Sequence, residues 1–233
     1  MADEEEKGAI SCKVVLIGES GVGKTSIISR YISNTFSSVL MATPGANFTT
    51  KTVFLQDEKQ SIKFEIWDTA GQEKYRALAK VFYKNAAVCI LVYDITRRAS
   101  FEELKKYWIT ELKANAAPSY SKLIYLIKLF LIFFYLVLAL AGNKNDMYEH
   151  EEVEENEGKE LAKDLGAIFQ KTSAKESTGV EDLFIKIGKK FLNPNASTGT
   201  GGAPSGGKVE NKEKGQKLKA DSGKKQGDKK GCC

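Results

Sequence analysis

At 233 residues, with 42% hydrophobic side chains and a formal net charge of +5, the chain can hold one fully cored domain and an additional segment. The charge distribution argues against nucleic-acid binding. Residues 193–233 carry nine lysines and four acids, +5 on their own, so residues 1–192 are neutral, whereas a nucleic-acid binder places its basic charge on the folded part. Four cysteines (Cys12, Cys89, Cys232 and Cys233) show no zinc or disulfide spacing, and the acidic Met1 to Gly8 stretch lacks the apolar run of a secretory signal, so a reducing, cytosolic compartment is expected.

Strand-like and helix-like segments alternate, which predicts an α/β fold with a mostly parallel sheet and helices on both faces. Val14 to Ile17 reads as a buried parallel strand, with Cys12 in the adjoining apolar run. Gly18 to Thr25 leads into a helix carrying Ile27, Ile28, Tyr31 and Ile32 at helical spacing. Thr49 to Leu55 and Ser61 to Trp67 read as two strands joined by a turn at residues 56–60. Val88 to Tyr93, which contains Cys89, is a further buried strand. Ser100 to Leu112 predicts a helix with Ser100 as N-cap and Glu103 completing a capping box. Glu151 to Leu165 predicts a polar helix, Ala167 to Gln170 a short strand and Val180 to Leu192 an amphipathic helix. His150, the only histidine, lies in an acidic loop and reads as solvated. Residues 193–233, rich in Gly, Lys, Ser and Asn and without an aromatic, are expected to stay disordered.

Four elements carry chemistry. Gly18-Glu19-Ser20-Gly21-Val22-Gly23-Lys24-Thr25 fits G-x-x-x-x-G-K-[ST] between a strand and a helix. Its glycines let backbone N–H groups wrap phosphates, the helix N-terminus adds positive potential, Lys24 reaches the outer phosphates and Thr25 offers a hydroxyl to Mg²⁺. Asp68 ends an apolar strand, where a carboxylate can hold Mg²⁺ through water. Asn143-Lys144-Asn145-Asp146 follows another strand, and the Asp146 carboxylate can accept from N1–H and N2–H₂ of guanine, a donor pair that adenine lacks. Thr172-Ser173-Ala174-Lys175 can offer backbone N–H groups to guanine O6.

With these motifs in order, residues 12–192 resemble the Ras superfamily. Trp67-Asp68-Thr69-Ala70-Gly71-Gln72-Glu73, Leu91-Val92-Tyr93-Asp94-Ile95-Thr96 and the terminal Cys232-Cys233 look like Rab proteins. Gly45-Ala46-Asn47-Phe48 and Leu138-Ala139-Leu140-Ala141-Gly142-Asn143-Lys144 look most like their early-endosome branch. The resemblance implies a P-loop fold with a six-stranded sheet. It implies a nucleotide site of Gly18, Ser20, Gly21, Val22, Gly23, Lys24, Thr25, Ser26, Phe36, Thr43, Gly71, Asn143, Lys144, Asp146, Ser173, Ala174 and Lys175. Thr25, Thr43 and Asp68 would serve Mg²⁺, Gln72 would orient the attacking water, and Phe48, Trp67 and Phe82 would form the surface that effectors read, with plain core packing as the alternative for those three. It also implies a slow, membrane-anchored GTP switch in vesicle trafficking, on the cytoplasmic face of an endosomal membrane and cycling with cytosol. Its partners would be an exchange factor, an activating protein, effectors and a lipid-binding escort. Its anchor would be lipid on Cys232 and Cys233 beside the lysines of residues 193–233. The alternative is a nucleotide-regulated scaffold whose hydrolysis is impaired.

Two features depart from the family. Pro44 follows Thr43 where an aliphatic residue is usual; it lacks an N–H and biases Thr43 towards extended backbone. Between Pro118 and Gly142 lie 23 residues, where a short loop and one strand would suffice. The excess, about 119–135, is strongly apolar, and Leu123 to Ala141 is 19 residues with Lys128 as its single charge. A membrane span would remove Leu136 to Ala141 from the sheet that delivers Asn143 and Asp146. A hydrophobic excursion that docks on a membrane or partner is a second reading. A translated intron is the favoured third, because the family pattern resumes at Leu136 as though uninterrupted and the inserted residue types are those that AT-rich sequence encodes.

Overall fold

The computed structural model describes residues 8–39, 43–71, 81–82, 85–115 and 136–194. Gln72, the 119–135 insert, residues 195–233 and Cys232 and Cys233 lie outside the described residues. The sheet has six strands: β1 (Ile10–Ile17), β2 (Ala46–Leu55), β3 (Gln60–Thr69), β4 (Val88–Asp94), β5 (Val137–Asn143) and β6 (Ile168–Thr172). Their spatial order is β2-β3-β1-β4-β5-β6, and every pair is parallel except β2 with β3. The expected α/β architecture is therefore the observed one.

The strands explain the sheet's position. β4 and β5 are buried along their full length, as continuous apolar runs between two helical layers must be. Helix α1 (Lys24–Ser33) and the C-terminal helix α5 (Val180–Leu192) cover one face. There Ile27, Ile28, Leu183 and Ile187 pack on Val14, Leu16, Phe64 and Ile90. Tyr31 stacks on Phe184 at 3.6 Å between ring centroids, and Phe64 meets Phe184 edge-on at 5.7 Å. The opposite face is covered by α2 (Arg98–Glu103), a π-helical turn (Leu104–Trp108), α3 (Ile109–Asn115) and α4 (Glu155–Leu165). Phe101, Leu104, Trp108 and Leu112 fill that layer against Val15, Ile17, Leu91 and Tyr93. Cys12 and Cys89 are both free and buried, as expected, and burial pushes the Cys12 thiol up to about 12.

Two expected helix starts are corrected. The predicted N-cap Ser100 is inside α2, which starts one turn earlier: the Ser100 hydroxyl is wholly buried and bonds Asp94 O and Arg97 O, so no capping box with Glu103 forms there. Arg98 anchors that earlier start through paired contacts to Glu157, at 2.5 and 2.7 Å, and to Glu152. Residues 151–154 are not helical, because the N–H groups of Glu152 and Val153 bond Ile95 O at 2.8 and 3.1 Å and hold that stretch extended; α4 begins at Glu155. The membrane span over Leu123 to Ala141, already disfavoured because it would take Leu136 to Ala141 out of the sheet, is incompatible with β5, whose residues pair with β4 and β6, and no described helix is long and apolar enough to cross a membrane. Strands β1, β2 and β3 also begin earlier than read, at Ile10, Ala46 and Gln60.

Phe184 joins α5 to α1 and the sheet at once, so Phe184→Ala removes a large side chain from a site with three aromatic rings in mutual contact. We expect a loss of about 3–5 kcal/mol, measured as a lowered denaturation midpoint; a loss below about 1 kcal/mol would contradict this packing.

Candidate functional site

A cavity of about 510 Å³ opens at the carboxyl ends of the parallel strands, where open α/β sheets place their ligands. One end is the turn between β1 and α1. Gly23 there adopts φ +95°, and a Cβ on it would stand 2.3 Å from Asn143 Nδ2, so the turn admits only glycine. Lys24 is 5% exposed and folds its ammonium back onto Gly18 O (2.8 Å) and Glu19 O (2.9 Å). Burial lowers its pKa to about 8, against the pull of Asp68 and Glu19, and Arg97 lowers it further. Gly71 passes so close that a Cβ would meet Lys24 Nζ at 2.5 Å.

The strand-end Asp68 is buried beside this turn. Its Oδ2 accepts from Thr25 Oγ1 at 2.7 Å, and Thr25 Oγ1 lies 2.9 Å from Thr43 Oγ1. The other oxygen, Asp68 Oδ1, is buried without a hydrogen-bond partner. Burial raises the Asp68 pKa, opposed by the Thr25 hydrogen bond and by Lys24.

The other end is built from the loops after β5 and β6. Asn143 is 2% exposed; it donates to Val22 O (2.9 Å) and accepts from Thr172 Oγ1 (3.1 Å), which ties the two ends together. Asp146 Oδ1 accepts from Ser173 Oγ at 2.6 Å, and Lys175 Nζ lies 3.7 Å from its second oxygen. Lys144, in left-handed backbone at φ +70°, sets its ammonium 2.6 Å from Asp94 Oδ2.

Of the sequence-predicted residues, Ser20, Gly21, Gly23, Lys24, Thr25, Ser26, Phe36, Thr43, Gly71, Asn143, Lys144, Asp146, Ala174 and Lys175 line this single cavity. Gly18, Val22, Asp68 and Ser173 stand directly behind it, bonded to lining residues. Phe48, Trp67 and Phe82 form a contiguous row with centroid separations of 5.0 and 5.4 Å; Phe48 is 53% exposed, so core packing does not account for it. His150 is exposed, as expected.

Sequence reasoning missed Asp94 and Arg97 as builders of the site, and placed Thr172 in a site motif without foreseeing its side-chain bond to Asn143. Asp94 and Thr172 flank Asn143 in the strand register, and Arg97 Nη2 donates to Ser20 O at 2.8 Å. Asp94 could have been found as a polar residue ending an apolar strand; nothing local marks Arg97.

Fold and cavity together define a P-loop nucleotide-binding protein. A model of the Ras family matches residues 13–193. Rab-22A of Mus musculus is 41% identical over 190 residues, covering 82% of this chain and 88% of that protein. Rab5A of Oryza sativa subsp. japonica is 41% identical over 182 residues, covering 78% and 80%, and RABF2a of Arabidopsis thaliana is 40% identical over 182 residues, covering 78% and 82%. The chain belongs to the Ras family and is a Rab-type small GTPase of the early-endosome branch, a protein that binds and hydrolyses GTP.

The lowered pKa of Lys24 has a measurable consequence. Above about pH 8 this lysine is held increasingly neutral in the nucleotide-free protein, while the unfolded chain keeps it charged up to its ordinary value of 10.5. Between those values the unfolded state binds more protons, so this group makes the fold more stable as pH rises. Phosphates restore the charged form. GDP binding at pH 9 should therefore take up most of one proton, seen calorimetrically as a dependence on buffer ionisation enthalpy, and Lys24→Met should abolish it. Proton-neutral binding at pH 9 would contradict this assignment.

Proposed function

We propose that this chain is a membrane-recruited GTP/GDP switch of vesicle traffic, acting at an endosomal membrane. The observation that carries the reading is the single cavity joining a buried Lys24–Thr25 phosphate end to an Asp146–Ser173 base end. In it, backbone N–H groups of residues 20–25 and the Lys24 ammonium would take the phosphates, Lys24 exchanging its two carbonyl partners for phosphate oxygens. Asp146 would accept from guanine N1–H and N2–H₂, the N–H groups of Ala174 and Lys175 would meet O6, and Phe36 would pack against the ring.

Mg²⁺ fits the residues present. Thr25 and Thr43 hydroxyls converge on Asp68, whose Oδ1 is an orphaned buried oxygen, and this is an all-oxygen donor set suited to a hard cation completed by phosphate. When bound, the ion would neutralise developing charge between the outer phosphates. Gln72 is assigned the orientation of the attacking water and Gly71 the contact that senses the γ-phosphate. No arginine of this chain is assigned as a built-in finger. Hydrolysis would therefore be slow, with roughly 10³- to 10⁵-fold acceleration from an activating protein.

In this reading residues 12–192 are the switch domain and residues 193–233 the tether. Lipid on Cys232 and Cys233 gives stable attachment where one chain alone would not, and the lysines add attraction to anionic lipid. An escort would extract the lipidated form, an exchange factor would load GTP, and effectors would read Phe48, Trp67 and Phe82. The Rab-22A and Rab5A relatives support the endosomal assignment.

Gln72→Leu should lower single-turnover GTP hydrolysis at least tenfold and leave GDP affinity within about twofold; an unchanged rate would overturn the role of Gln72. Pro44 is exposed beside Thr43, while Gly45 O accepts from Ala70 N at 2.8 Å. Pro44→Ile should therefore change effector affinity and leave hydrolysis within about twofold. Equal effector affinities for the two forms would refute this.

A further inference from the structure

Arg30 belongs to none of the nucleotide motifs, yet its side chain spans two parts of the cavity's base end. Its Nε donates to Ala174 O at 2.7 Å and its Nη2 to Lys175 O at 3.0 Å, 144 and 145 residues away. Its Nη1 donates to Asn34 O at 2.7 Å and to Asn34 Oδ1 at 2.9 Å. Asn34 ends α1 in left-handed backbone at φ +52°, two residues before Phe36, which lines the cavity. The guanidinium is a rigid fork of donors; an ammonium could not reach this spread of acceptors from one position.

The consequence for the base loop follows from peptide geometry. In a trans peptide the C=O and the following N–H point in opposite directions. Holding Ala174 O from the α1 side turns the Lys175 N–H the other way, and Ala174 and Lys175 both line the cavity. The next peptide is fixed likewise. Arg30 holds Lys175 O, and Glu176 N donates to Ser173 Oγ at 3.0 Å, which in turn donates to Asp146 Oδ1 at 2.6 Å. One side chain therefore fixes two consecutive peptide planes, and through them the hydroxyl that orients the base-reading carboxylate.

We propose that Arg30 is a positioning residue for guanine recognition, clamping the 173–176 loop to the exit of α1 so that the base loop and the Phe36 side of the cavity hold together. The proposal rests on reading this cavity as a guanine-nucleotide site. Arg30 touches no reacting atom, so its loss releases nucleotide without altering chemistry on nucleotide already bound.

The test uses full-length protein loaded with fluorescent GDP, as wild type, Arg30→Lys and Arg30→Ala. Arg30→Lys keeps charge and helix propensity and should still release GDP roughly tenfold faster or more. Amide hydrogen exchange at Lys175 and Glu176 should rise in the GDP-bound state, and single-turnover hydrolysis of bound GTP should stay within about twofold. Asn34→Gly keeps the left-handed cap and the Asn34 O acceptor while removing the side chain whose Oδ1 also accepts from Arg30; it should show a smaller acceleration, and it stands in if Arg30→Ala does not fold. Wild-type release from Arg30→Lys, or hydrolysis falling in step with release, would overturn the proposal. A wild-type chain that binds no guanine nucleotide would sink the reading beneath it, and the proposal too.

Discussion

The site depends on one row of residues across three parallel strands. Asp94 of β4, Asn143 of β5 and Thr172 of β6 stand side by side in register. Each is the last residue of its strand, and all three are buried. Asn143 bonds Thr172 on one side and Val22 of the phosphate loop on the other, and Asp94 pairs with Lys144. Because side chains alternate faces along a strand, a one-residue slip of β5 would turn Asn143 away from Val22 and point its apolar partners wrongly. The two ends of the cavity are therefore specified together, by backbone register and not by loop flexibility.

This constraint bears directly on the insert. β5 is the strand that follows residues 119–135, and it lies fully buried between β4 and β6. Val137 to Ala141 alternate between the two core layers, so each side chain of this stretch is buried on one face of the sheet or the other. The sheet therefore uses the sequence from Val137 onward as a family member would. The excursion reading and the translated-intron reading both concern residues before that point.

Legibility in the sequence followed the range of the interactions. The phosphate loop was readable because its chemistry is local: glycine at φ +95°, a strand before it and a helix after it. Helix α5 was readable to its ends because its apolar spacing matches its buried face. Ser100 was misread because Ser-x-x-Glu is a genuine start signal in isolation. Contacts from Arg98 to Glu152 and Glu157, more than fifty residues away, move the start one turn upstream and bury the serine. Residues 151–154 failed for the same reason, since Ile95 O holds them extended. Arg30 was invisible because its partners lie 144 and 145 residues further on. The cavity residues taken from the family resemblance did converge, whereas those that orient them came only from the tertiary contacts.

The central claim is that the full chain, insert included, folds into a site that holds a guanine nucleotide. The most direct measurement is chromatography of the nucleotide released on denaturing purified, full-length protein. The account predicts GDP or GTP at close to one equivalent per chain. A soluble, folded protein that releases no nucleotide, or releases an adenine nucleotide, would contradict it.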